Sequence, residues 1–121
     1  QAVSKSTDYR VKGRILLEEK EIINDLMAVE DGGAFSVVIE AVTEKLANKL
    51  TKMSKIKTIG IGASNKCDGQ ILVTEDLLGF FSKNPKFVKR YANINAFISK
   101  AIQKYKTDVV HRKFPTKKNI Y

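Results

Sequence analysis

The chain has 121 residues, 43% of them hydrophobic and 29% charged, with a formal net charge of +9. These figures fit one globular domain or a part of one and exclude a low-complexity chain. No apolar run approaches the roughly 18 residues of a membrane helix, and the single cysteine, Cys67, excludes an internal disulfide and fits a reducing compartment.

A pI near 9.7 raises the possibility of nucleic-acid binding. The lysines argue against it. They are spread along the sequence, five of them (Lys45, Lys49, Lys52, Lys55 and Lys57) around one expected helix end, where cations suit the dipole. Only the tail from Lys100 to Lys118 is dense in cations, and no basic stretch alternates with aromatics as a base-stacking surface would. A solvated basic surface is the reading adopted, with no nucleic acid and no membrane as partner. Residues 1–14 are polar and basic without an apolar centre, so they do not read as a secretory signal. The missing initiator methionine suggests a cut or incomplete chain.

From Gly13 to Asp31, Ile15, Leu16, Ile22, Ile23, Leu26, Met27 and Val29 recur with helical spacing, and Gly32-Gly33 stops the helix. Phe35-Ser-Val-Val-Ile39 is rich in β-branched residues and reads as a buried strand. Thr43 is a good helix cap for the stripe Leu46, Leu50 and Met53. Further strands are expected at Ile56 to Ile61 and Gln70 to Val73, followed by a short helix or turn from Glu75 to Phe81. Asn84-Pro85 predicts the start of a long helix with the face Phe87, Val88, Tyr91, Ile94, Ile98, Ala101, Ile102 and Tyr105. The tail from His111 reads as extended. Strands alternating with helices predict a parallel α/β sheet. Three such strands alone would leave unpaired edges and bare apolar faces, so the chain reads as part of something larger.

Two places attract chemistry. Glu40 ends the first strand, at the carboxyl end where α/β folds put catalytic groups, and a half-buried carboxylate there suits proton abstraction. It also fits the start of a solvated loop. Gly60-Ile-Gly-Ala-Ser-Asn-Lys-Cys-Asp-Gly69 is a glycine-rich connection between two strands. It fits a substrate or cofactor loop, with Gly62, Ala63, Asp68 and Gly69 as candidates, and equally a tight turn made by Asp68. It lacks the endings of a P-loop or a dinucleotide fingerprint. Cys67 has only the distant His111 to activate it, which argues against a thiol enzyme. His111 reads as a favourable charge near a helix end, and no metal-ligand cluster is present.

Five segments together resemble the ketopantoate hydroxymethyltransferase family: Tyr9-Arg-Val-Lys-Gly-Arg14, Gly33-Ala-Phe-Ser-Val-Val-Ile-Glu-Ala-Val42, Thr58-Ile-Gly-Ile-Gly-Ala63, Cys67-Asp-Gly-Gln-Ile-Leu-Val73 and Pro85-Lys-Phe-Val-Lys-Arg-Tyr91. The resemblance covers essentially the whole chain, and the segment ending in Asp-Gly-Gln is the most specific part. It implies the C-terminal half of a single (β/α)8 TIM barrel over residues 1–121, with strands six to eight and the closing helices. It also implies hydroxymethyl transfer from methylenetetrahydrofolate to α-ketoisovalerate, giving ketopantoate in pantothenate biosynthesis, through an enolate stabilised by Mg2+. Glu40 matches the family's proton acceptor. The magnesium ligands are expected in the first half of the barrel, upstream of Gln1, with none in this chain. The implied partners are the two substrates, the N-terminal half of the same barrel, and further copies in a ring of dimers. The cytoplasm is the default compartment, with the mitochondrion open for a eukaryotic source.

The chain departs from the family pattern at Thr43, usually proline, at Ser64, usually glycine, and near Asn119, where a histidine is common. The competing reading is a catalytically silent half-barrel that acts as a binding module. A third is another (β/α)8 enzyme that uses magnesium and a keto-acid enolate.

Overall fold

A computed structural model describes residues 11–121. Tyr9 and Arg10, at the start of the first matching segment, lie outside the described residues. The chain forms two units, Gln1–Leu72 and Val73–Tyr121, described separately.

The first unit contains α1 (Leu16–Asp31), β1 (Ser36–Glu40), α2 (Glu44–Met53), β2 (Lys57–Ile61) and β3 (Gly69–Gln70). The sheet has the order β1-β2-β3 and both pairings are parallel, as the alternation of helices and strands predicts. Val37 pairs with Thr58, Ile39 with Gly60 and Glu40 with Ile61. Side chains alternate across a strand, so Val37 and Ile39 share one face and Val38 and Glu40 the other. The helices cover the first face, where Leu26 of α1 and Leu46, Ala47 and Leu50 of α2 form the core with Ile39, Val42, Ala63 and Cys67. Across the sheet, Val38 is 54% exposed.

Helix α1 begins at Leu16, three residues later than the apolar spacing predicts. Gly13 has φ +80°, a left-handed conformation that no helix contains. The Glu18 carboxylate accepts hydrogen bonds from the Gly13 and Arg14 amides at 3.0 and 3.3 Å, so the approach to the helix is held by its own first turn. The expected stop holds: the Gly32 amide donates to the Ala28 carbonyl and Gly33 is left-handed. Thr43 caps α2 as predicted, its hydroxyl accepting from the Leu46 amide at 3.4 Å. Glu30 ties the far end of α2 to α1, accepting from the Ser54 hydroxyl and the Lys55 amide at 2.8 and 2.7 Å. Those two donors, the Lys55 amide first, hold its carboxyl below the usual range. Strand β3 is shorter than the expected Gln70 to Val73. The Ile71 amide still reaches the Gly60 carbonyl at 3.0 Å, but Val73 already caps the next helix.

The second unit holds α3 (Thr74–Leu78), α4 (Ile94–Val110) and a 3-10 turn at Lys117–Asn119. The long helix starts at Ile94, not at Asn84-Pro85. The residues ahead of it have other partners: Arg90 donates to the Ser82 carbonyl and the Asn84 side chain, and the Tyr91 amide bonds the Leu77 carbonyl at 2.9 Å. Asn93 then caps the helix by accepting from the Ala96 amide. Phe87, Val88 and Tyr91 therefore fall outside the helical stripe. The tail is not extended either. Arg112 is left-handed, the Phe114 ring meets Tyr105 edge-on at 5.6 Å, and Thr116 and Asn119 cap the last turn reciprocally. His111 sits at the carboxyl end of α4, as expected, with Nδ1 2.8 Å from the Thr107 carbonyl.

Candidate active site

Glu40 is the last residue of β1, half-buried, on the sheet face away from the helices. Its carboxylate has no hydrogen-bond or ion-pair partner among the described residues. The following residue, Ala41, has φ 54°, which is rare for a residue with a side chain. The strand therefore turns sharply immediately after the carboxylate. That turn is clasped by the segment before α1: the Lys12 amide donates to the Ala41 carbonyl at 2.8 Å and the Thr43 amide to the Lys12 carbonyl at 3.0 Å, forming a parallel bridge between Lys12 and Val42. The Thr43 hydroxyl adds a bond to the Gly13 carbonyl at 3.2 Å. Thr43 has φ −65°, a value proline would also adopt, and its amide and hydroxyl supply two donors to the clasp.

A cleft of about 690 Å3 opens between α1 and β1, the edge strand of the sheet. Ile22, Leu26 and Val29 wall it on one side and Val37 to Ile39 on the other, with Lys12, Asp25 and Glu40 as its charged lining.

The four loop candidates separate. Gly62 and Ala63 directly follow Ile61, the residue opposite Glu40, and so stand at the same carboxyl end of the strands. Gly62 is left-handed at φ 61°, and Ala63 packs into the core. Asp68 lies toward the other end, beside Lys57 and Thr58, and Gly69 pairs with Ile59 in the middle of β2, because the loop runs back along the sheet before β3 begins. Asp68 is occupied there. One of its oxygens accepts from the Thr58 amide and hydroxyl at 2.9 and 2.8 Å, and the other from Lys57 at 3.1 Å. The Thr58 amide foremost, then its hydroxyl and Lys57, hold the Asp68 carboxyl down at about 2. A Cβ on Gly69 would make only ordinary contact with Ile59, so nothing close-packed demands glycine there. Gly60 is different: a Cβ would meet the Gln70 side chain and Cys67 Sγ at 3.0–3.1 Å. The close approach that this glycine permits is by the protein's own side chains. Cys67 is buried, its sulfur within 3.6 Å of the Thr51 hydroxyl, as befits a packing residue.

Sequence reasoning missed the Lys12 clasp, the fully buried Thr58, and the role of Ser64. Ser64 is buried and donates to the Asn48 side chain at 2.6 Å, while its carbonyl accepts from Gln70 at 2.7 Å. It pins the loop to α2. A lone threonine inside an apolar strand was the available signal for Thr58. For the clasp the only signal was Gly13 ahead of a helix.

Against known proteins, the sequence model described as ketopantoate hydroxymethyltransferase matches residues 1–117. The chain belongs to the ketopantoate hydroxymethyltransferase family. It is 49% identical over 116 residues to the 3-methyl-2-oxobutanoate hydroxymethyltransferase of Pelagibacter ubique, covering 96% of this chain and 45% of that protein. The enzyme of the same name from Bartonella bacilliformis is 50% identical over 121 residues, all of this chain and 45% of the relative. The Sphingopyxis alaskensis enzyme is 48% identical over 121 residues, 42% of its length. The chain thus spans less than half the length of these curated relatives. These relatives are named as hydroxymethyltransferases, and the mixed α/β unit with its small parallel sheet is consistent with a part of such an enzyme. No helix among the described residues is long and apolar enough to cross a membrane.

Proposed function

We propose that this chain supplies the proton-abstracting part of a ketopantoate hydroxymethyltransferase, as the C-terminal half of a (β/α)8 barrel. Glu40 takes the proton from the branched carbon of α-ketoisovalerate. The enolate so formed attacks the one-carbon unit of methylenetetrahydrofolate, and with water the products are ketopantoate and tetrahydrofolate. The observation that carries this reading is the Glu40 carboxylate, without a partner among the described residues, at the carboxyl end of a parallel strand and on the face the helices leave open. In this reading Gly62, exposed at the same end, lines the substrate site, while Ala63 anchors the loop in the core and Asp68 fastens its return.

The barrel reading draws support from the cleft along β1. An edge strand with an apolar groove beside it is the place where a preceding strand would add. The resemblance also implies a magnesium ion. Among the described residues no group of three or more His, Cys, Asp or Glu side chains could hold a metal, so they do not fit that ion by themselves and no step is derived through it. In this reading its ligands belong to the length of the family that the chain does not span. The same holds for the rest of the keto-acid site and for assembly into a homo-oligomer. The comparisons do not favour the binding-module alternative, since the relatives carry the name of the enzyme.

The test is exchange of the branched-carbon proton of α-ketoisovalerate for deuterium in D2O, catalysed by the full-length protein without folate. Glu40→Gln should cut that exchange by about 10²–10⁴-fold and leave the fold intact. Exchange at the unsubstituted rate would remove Glu40 as the base.

A further inference from the structure

We infer that the segment Lys12–Gly13 is a positioning strap for Glu40, acting through the left-handed Ala41. The inference rests on the reading of Glu40 as the base and goes beyond it by assigning what aims the carboxylate.

Three observations converge. First, Ala41 holds φ 54° without being glycine, and such a conformation persists only where the surroundings over-determine it. Second, the surroundings do so. The Lys12 amide grips the Ala41 carbonyl, the Thr43 amide grips the Lys12 carbonyl, and the Thr43 hydroxyl grips the Gly13 carbonyl, so the strap holds both sides of the turn at 2.8–3.2 Å. Third, the strap is itself locked. Gly13 is left-handed at φ +80°, its amide is bound by the Glu18 carboxylate, and a Cβ built on it would fall 2.4 Å from Leu46 Cδ2. Leu46 is 2% exposed and belongs to the core. A chain of contacts therefore runs from the core through Gly13 and Lys12 to Ala41, next to a carboxylate that no side chain among the described residues steadies. A base free of its own hydrogen bonds must be aimed by its backbone, and a displacement of about 1 Å at a reacting group can cost a factor of 10².

The deciding variant is Ala41→Gly in the full-length protein, read by proton exchange on α-ketoisovalerate, by the KM for the keto acid and by thermal unfolding. Glycine adopts the left-handed conformation without penalty and many others besides. It should leave the melting temperature unchanged or higher while slowing exchange turnover by about tenfold, with KM unmoved. A purely structural role for the turn would not separate those readouts. Exchange at the unsubstituted rate overturns the inference, and so does a loss of turnover accompanied by a lower melting temperature. Gly13→Ala, which forces the strap off Leu46, should slow exchange at least as much; where it fails to fold, Ala41→Gly decides. Glu40→Gln run alongside separates the two proposals: if it exchanges normally the base assignment fails, whereas if it is dead and Ala41→Gly is normal only the strap fails.

Discussion

The two ends of the small sheet treat their carboxylates in opposite ways. At the amino end of the strands Asp68 is saturated: an amide, a hydroxyl and an ammonium all point at it, and its backbone amide in turn donates to the Thr58 hydroxyl at 3.2 Å. At the carboxyl end Glu40 has no partner among the described residues and stands beside a residue in an unfavourable backbone conformation. A satisfied carboxylate holds a fold together and has no capacity left for proton transfer. An unsatisfied one contributes little to the fold and keeps its oxygens for a substrate. In the proposed reading, the separation follows the division in parallel α/β folds between a stabilising end and a reactive end.

The sharpest way to break this contrast is Glu40→Gln, where activity should drop by about 10²–10⁴-fold with no change in melting temperature. A parallel loss of stability would show that Glu40 is structural after all. Next in size, Leu46→Ala removes a core residue shared by the strap and α2, and should cost about 2–5 kcal/mol in denaturant unfolding. Acid should act at the other end. The Asp68 carboxyl lies at about 2 in the folded protein, below its ordinary 3.8. The unfolded chain therefore binds the proton first, and stability that is full above the ordinary value is lost as pH falls towards 2. Asp68→Asn should flatten that part of the pH–stability curve and leave proton exchange at neutral pH intact; slowed exchange would join the two ends functionally. The smallest effect expected is that of Ser64→Ala, which deletes a buried hydroxyl that donates to Asn48 and accepts from the Lys66 amide, and should cost about 0.5–1.5 kcal/mol per bond in the same unfolding measurement.

Much of the first unit was legible because local and long-range preferences agree. The run Val37 to Ile39 is β-branched and apolar, and it forms the middle of β1; Thr43 is a cap by type and by geometry. Glu40 stood out for the same reason, as the charge that ends an apolar strand. Where local signals were overruled, a specific bond did it. Pro85 suits a first helical turn, but Asn93 holds the better cap and Arg90 and Tyr91 are tied elsewhere. Asp68-Gly69 reads as a turn, yet nothing in the sequence pairs Asp68 with Thr58, ten residues away. The strap was the least visible, since a backbone hydrogen bond between Lys12 and Ala41 leaves no mark in side-chain pattern.

The edge of β1 has a practical consequence. Beyond the single bridge at Val42, no strand among the described residues pairs with that side of Ser36 to Glu40, and Phe35 and Val38 are exposed along it. An open, β-branched edge is a template for any extended peptide, including a second copy of itself. Handled at this length alone, the polypeptide should therefore be prone to aggregation in proportion to its concentration.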